Sequence, residues 1–360
     1  MQKKQGISLI VLSITILVMA ILAATAIISL EDSGIIGRSK NTSNKQNQQE
    51  EYTRLQVIKN GILTDNLGEI TVDEFIEELK SQGVIEDTFT TDEYGNKVVK
   101  TKSGLDVYIK QDGTSNVKVS FESILPGLGE LITAANYGDT VDYTVTVDGT
   151  TYDDWKIYYH NNDYVYLIAE NNITETTLGK GTTVASLTSD ELALYEKFRV
   201  GTADKYTLID TSTDGNNYTM SNCQAVVQLI KDYANFANKT TYGTNVVGAI
   251  GGPTLELLAA GWNAKGYTPT MTLTTDTYGY MINNDYYVDV TSDGLYVPSD
   301  YWCWLASPSA ASINFVMLAG GDGVGYGGYR GTRGVRPVVC LKSSIPATVG
   351  TGDYDFSLTK

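Results

Sequence analysis

The chain is poor in the residues that build most metal and catalytic centres: one histidine and three cysteines in 360 residues. With a single imidazole, metal sites built on two or three histidines are excluded, and a serine hydrolase has no credible base. That residue, His160, is followed by Asn161, Asn162 and Asp163, and is expected to sit exposed in a hairpin turn. Cys223, Cys303 and Cys340 allow at most one disulfide, and none stands in a CxxC pair, so zinc-ribbon and thioredoxin chemistry are excluded. They are expected to pack as small apolar residues, or to pair if their Cβ atoms meet. Charged residues are sparse and the net charge is −16, which argues against a broad face for nucleic acid or anionic lipid. No carboxylate pair stands out for glycoside hydrolysis. The expectation is therefore no enzymatic activity, no cofactor, no metal and no nucleic-acid partner.

What is plentiful is tyrosine, 25 against seven phenylalanines, a balance that suits half-exposed sheets and wet contact surfaces. Residues 7–30 carry no charge. As a helix they would extend roughly 36 Å at ~1.5 Å per residue, enough for a hydrocarbon layer of ~30 Å. Lys3 and Lys4 precede this run and Glu31 and Asp32 follow it, which predicts a cytoplasmic N-terminus with the rest outside. The polar stretch 31–63 is expected to continue the helix into solvent. Thr71 with Glu74 forms a capping-box pattern, and Val72, Phe75, Ile76 and Leu79 share one helical face. Alternating runs at 97–101, 105–110 and 116–121, separated by Ser-Gly and Asp-Gly turns, complete a small helix-plus-antiparallel-sheet headpiece over 64–125.

Pro126-Gly-Leu-Gly reads as a boundary. Beyond it, strands are expected at 141–147, 155–159 and 164–169, helices at 189–199, 222–238 and 248–267, and strands again from Tyr278 onward. That order predicts an α+β domain over 126–360. Val335, Pro337, Val339 and Leu341 alternate with Arg336, Val338 and Cys340, and a proline in such a run predicts an edge strand or a position whose N–H would face outward. Trp302 and Trp304 are expected on one strand face, with Tyr301 and Cys303 on the other.

Met1–Gly6 (MQKKQG) followed by an apolar run resembles the type IV prepilin leader. The resemblance implies cleavage between Gly6 and Ile7, a transmembrane pilin helix and other pilin subunits as partners. Val11 stands where major pilins have glutamate at the fifth mature position, and Ile7 where they have phenylalanine, which favours a minor pilin, pseudopilin or anchored relative; a simple uncleaved anchor is the alternative. The segments YGDTVDYT, DDWKIYY, YVYLIA, GPTLEL, WLASPS and GVRPVV, over about 137–342, look like a domain of bacterial surface proteins. That domain resembles the C-type-lectin-like fold of formylglycine-generating enzymes and of variable proteins from diversity-generating retroelements. The copper-site cysteine pair of those enzymes has no counterpart here. Asp210–Asn216 resembles the opening of an EF-hand loop, but Ser221 replaces the bidentate glutamate, so a polar turn is expected.

Eight of the fifteen residues from Gly320 to Gly334 are glycine. In the lectin-like fold the segment before the closing strand is the ligand-binding face, and it is the part diversified in retroelement-linked members. The resemblance thus implies contact residues at Tyr301, Trp302, Trp304, Ser309, Ser312, Asn314, Phe315, Asp322, Tyr326, Tyr329, Arg330, Thr332 and Arg333. Tyr326, Tyr329, Arg330 and Arg333, spaced by glycine, are the foremost of these. The function expected is a surface-displayed adhesin for an extracellular protein or glycan; the alternative is a pseudopilin acting in filament assembly for secretion or DNA uptake.

Overall fold

The computed structural model describes residues 38–113, 115–178, 186–201, 205–208, 222–350 and 352–359. The leader with Gly6 and Ile7, the apolar run 7–30 and the Asp210–Asn216 turn lie outside the described residues. The chain divides into two compact units, one ending at Ile124 and the other beginning at Leu125.

The first unit contains the 28-residue helix Arg38–Asp65, which contributes Leu55 and Ile58 to its core. A second helix, Val72–Ser81, starts where the sequence places it. Thr71 accepts from the Glu74 amide, and the Glu74 carboxylate accepts in return from the Thr71 amide at 2.9 Å. Phe75, Ile76 and Leu79 form its buried face. Strands Ile85–Thr91, Lys97–Thr101, Asp106–Asp112 and Asn116–Ser120 form an antiparallel sheet in chain order. Val99, Val107, Ile109 and Val117 join the same core.

The second unit is built on two larger sheets. The seven-stranded sheet runs in the order Val246–Ile250, Val338–Lys342, Tyr164–Ala169, Trp155–His160, Thr140–Val141, Phe356–Leu358, Ala347–Val349. The six-stranded sheet runs Thr174–Thr177, Thr332–Val335, Trp302–Pro308, Phe315–Gly320, Gly323–Gly328, Val288–Asp289. Helices Ser189–Phe198, Asn222–Lys231 and Leu255–Ala264 share one apolar cluster with both sheets.

The chain passes between these sheets at Arg336–Pro337, and of the two expectations for Pro337 the edge strand is corrected there. Val338–Lys342 is an interior strand, paired on both sides, while Pro337 stands in the step before it. A proline costs nothing at a step that needs no ladder donor. Its carbonyl still accepts from Ala169 N–H at 3.0 Å. Arg336, buried at the same step, donates to the carbonyls of Ala169 and Leu295.

The expected fold class is also corrected. The described residues form a mixed α+β structure dominated by sheet, and no described helix is long and apolar enough to cross a membrane. The longest, Arg38–Asp65, is polar in sequence, so the transmembrane pilin helix of the expected class is not found among the described residues.

Candidate functional site

The middle of the glycine-rich segment is a strand. Gly323–Gly328 pairs with Phe315–Gly320 in continuous antiparallel register, from Gly320↔Gly323 to Phe315↔Gly328. Directly opposed residues share a face, so Gly323, Gly325 and Gly327 lie on one face and Val324, Tyr326 and Gly328 on the other.

On the first face the missing side chains leave bare backbone for an aromatic ring. A Cβ at Gly323 would collide with the Tyr287 ring, and one at Gly325 would stand 2.5 Å from Tyr287 Cδ2. Tyr287 lies across this strip and its hydroxyl donates to Asp322 Oδ1 at 3.1 Å. Burial first, and then the Asp322 carboxylate, push its pKa up to about 12. Trp302 is 6.5 Å from Tyr287 between ring centroids and lies against Gly321, whose φ of +61° favours glycine.

On the second face three rings form a row. Phe315 stacks on Tyr326 with centroids 4.9 Å apart, and Tyr286 meets Tyr326 edge-on at 6.4 Å and 88°. Tyr326 is 41% exposed and Tyr286 38%. The end of the row is fixed by a turn in which Phe315 N–H donates to Ser312 O at 3.0 Å. Tyr329 N–H then donates to Asn314 O at 3.1 Å, bringing the 328–330 backbone beside that turn. Arg330 is exposed, with its guanidinium 5.9 Å from the Tyr329 ring centre. Ser312, Asn314, Phe315, Tyr326 and Arg330 therefore belong to one surface. Tyr286 and Tyr287 were absent from the sequence-derived set; the Tyr-Tyr pair before a two-residue edge strand was the only signal they left.

Other expected contact residues are placed elsewhere. Trp304 is buried in the core and its Nε1 donates to Thr176 O at 3.0 Å. Ser309 is buried, its hydroxyl accepting from Ala311 N–H at 3.2 Å. Tyr329, 3% exposed, serves as a support beneath Arg330. These three are corrected: none offers a side chain to an outside partner. Thr332 and Arg333 are on the Thr332–Val335 strand, separated from the row by Trp302–Pro308. There Thr332 bonds Thr177 at 2.7 Å, and Arg333 Nη1 donates to Thr332 O. Trp302 and Asp322 belong to the glycine face, and Tyr301 lines a cavity with Arg336.

His160 is not an exposed turn residue. It ends the Trp155–His160 strand half-buried, with Nδ1 3.1 Å from the Tyr137 hydroxyl, and burial lowers its pKa below 6.5. None of the three cysteines is in a disulfide, and all three are buried. Burial pushes the Cys303 thiol up to about 12, an effect that the positive charge of Arg336 partly opposes. A protonated, inaccessible thiol is a packing residue, not a nucleophile. No cluster of metal-binding side chains occurs among the described residues.

One buried polar group escaped the sequence. Arg199 Nε donates to Glu256 Oε1 at 2.7 Å and Arg199 Nη2 to the Tyr280 hydroxyl at 2.7 Å, while that hydroxyl also bonds Glu256. The three come from positions 57 and 24 residues apart, so no local pattern announces them.

No family model, no curated protein and no solved structure matches this chain. The lectin-like expectation thus finds no support from any matching structure.

Proposed function

We propose that this chain is a surface-displayed adhesin and that the row Phe315–Tyr326–Tyr286, with Asn314 and Arg330 beside it, is its contact face for an extracellular protein. The carrying observation is a row of three rings at the surface in which exposed Tyr326 packs against both half-buried Phe315, on the paired strand, and exposed Tyr286. Large aromatics with few rotors and an adjoining guanidinium are the side chains that dominate protein-binding energy. Tyr326 and Tyr286 also keep each ring's polar edge available to a wet interface. The acidic balance and the uncharged sequence 7–30, preceded by Lys3 and Lys4, support a place at the outer face of a bacterial membrane.

Tyr326→Ala and Arg330→Ala test this in a cell- or matrix-attachment assay. Tyr326→Ala forfeits one stacked and one edge-on pair, about 1–3 kcal/mol in all, too little to unfold a domain, yet removal of a hot-spot ring costs at least about 2 kcal/mol of binding. Attachment should therefore fall about thirtyfold or more while the fold persists. Undiminished attachment by both variants refutes the contact face.

A further inference from the structure

A cavity of about 420 Å³ opens where the chain steps between the two sheets, and Arg336 and Tyr301 are in its wall. Arg336 is only 2% exposed, yet no carboxylate among the described residues lies within ion-pair distance of it. Its Nε donates to Ala169 O at 2.9 Å and its Nη1 to Leu295 O at 2.8 Å, with Gly294 O at 3.4 Å. The second terminal nitrogen has no protein partner among the described residues. Beside it, Asp293 Oδ1 accepts from the amides of Tyr296 and Val297, while Oδ2 is buried and unpartnered. The hydroxyl of the fully buried Tyr158 is unpartnered as well, and it feels the charges of both Arg336 and Asp293. A buried unpaired group costs about 1–3 kcal/mol; Tyr158 is not among the residues lining the cavity, so it is Asp293 Oδ2, with the spare Arg336 donor beside it, that calls for a partner there.

The wall chemistry narrows what that is. Lys156 already pairs with Glu170 at 2.6 Å, and Asp293 and Asp300 oppose the charge of Arg336, so neither an anion nor a cation meets a matching field. A hydroxyl both accepts and donates, and can serve a guanidinium nitrogen and a carboxylate oxygen together. The tyrosines Tyr267 and Tyr301 give the same cavity flat apolar surface. We propose that this cavity binds a neutral polyhydroxylated small molecule of monosaccharide size, at a site separate from the aromatic row.

The test uses the full chain in a sugar-free detergent with methyl glycosides of glucose, galactose, mannose and N-acetylglucosamine as probes, and acetate and methylammonium as charged controls. Saturation-transfer NMR should show at least one glycoside bound, with affinity reduced tenfold or more by Tyr301→Ala and by Asp293→Asn, and unchanged by Tyr326→Ala. Tyr267→Ala, at the cavity wall, replaces either variant that fails to fold. Binding of no glycoside, stronger binding of a charged control, or glycoside binding indifferent to the cavity variants overturns the assignment. Loss of attachment in Tyr326→Ala with glycoside binding intact separates this site from the contact face.

Discussion

If the glycines of the 320–328 ribbon serve close approach at some positions and not at others, alanine should discriminate between them. Gly320→Ala puts a methyl onto the backbone carbonyl of Tyr301, in a residue whose φ is +153°. The conformation alone costs an L-residue about 1–3 kcal/mol, and the collision is with main chain, which cannot swing aside. A loss of at least about 3 kcal/mol follows, or at least about 6 °C at ~2–4 °C per kcal/mol for a unit of this size. At Gly328 the nearest atom to an added methyl is Phe315 Cε1 at 3.8 Å, an ordinary contact. Gly328→Ala should therefore leave stability unchanged or raise it by up to about 1 kcal/mol, through lost freedom in the unfolded chain. All four tryptophans (Trp155, Trp262, Trp302 and Trp304) lie in the second unit, so tryptophan fluorescence during heating follows that unit alone. A Gly320→Ala protein that melts with the parent would refute the close approach. A Gly328→Ala protein that melts several degrees lower would refute the open space above that strand.

Two further outcomes are expected. Arg199→Ala leaves the Glu256 carboxylate buried without its cation and should cost about 3–5 kcal/mol, whereas removal of Lys231 from its more exposed pair with Glu191 should cost about 1 kcal/mol or less; chemical denaturation followed by fluorescence measures both. His160 has its pKa lowered by burial, so the unfolded chain binds the proton more readily than the folded one. Stability should then fall as pH drops below 6.5 toward the folded value, and His160→Gln should flatten that part of the curve. The single imidazole resonance in a proton NMR titration reports the pKa directly, and a value at or above 6.5 contradicts the expectation.

Local chemistry was legible in the sequence, and contacts made at a distance were not. Thr71 and Glu74 announce their helix because both partners of the cap lie within four residues. Tyr164–Ala169 and Lys97–Thr101 appear where turn residues and β-branched or aromatic runs place them. The register Trp302↔Gly320 and Trp304↔Leu318 agrees with the shared face expected of the two tryptophans, yet one is half-exposed and the other buried. Alternation gives the face but not the depth, because depth depends on Thr176, far off in the chain. That the glycine ribbon is itself a paired strand was not legible for a related reason. Strand propensity counts side chains, whereas this strand forms from backbone pairing and owes its missing side chains to Tyr287, which no local window connects to it. Of the candidate site, Phe315, Tyr326 and Arg330 were implied by the lectin-like resemblance, the last two foremost for their glycine spacing, and Tyr286 was missed because it stands in a bend outside any strand, just before Val288–Asp289.

The contact face is tested most directly by hydroxyl-radical footprinting of the full chain, free and attached to cells. Tyr278, equally exposed at 42% but in a different hairpin, is the internal reference. Oxidation of Phe315, Tyr326 and Tyr286 should fall on attachment while that of Tyr278 holds steady; unchanged oxidation along the row, with protection appearing at other residues, would contradict the account.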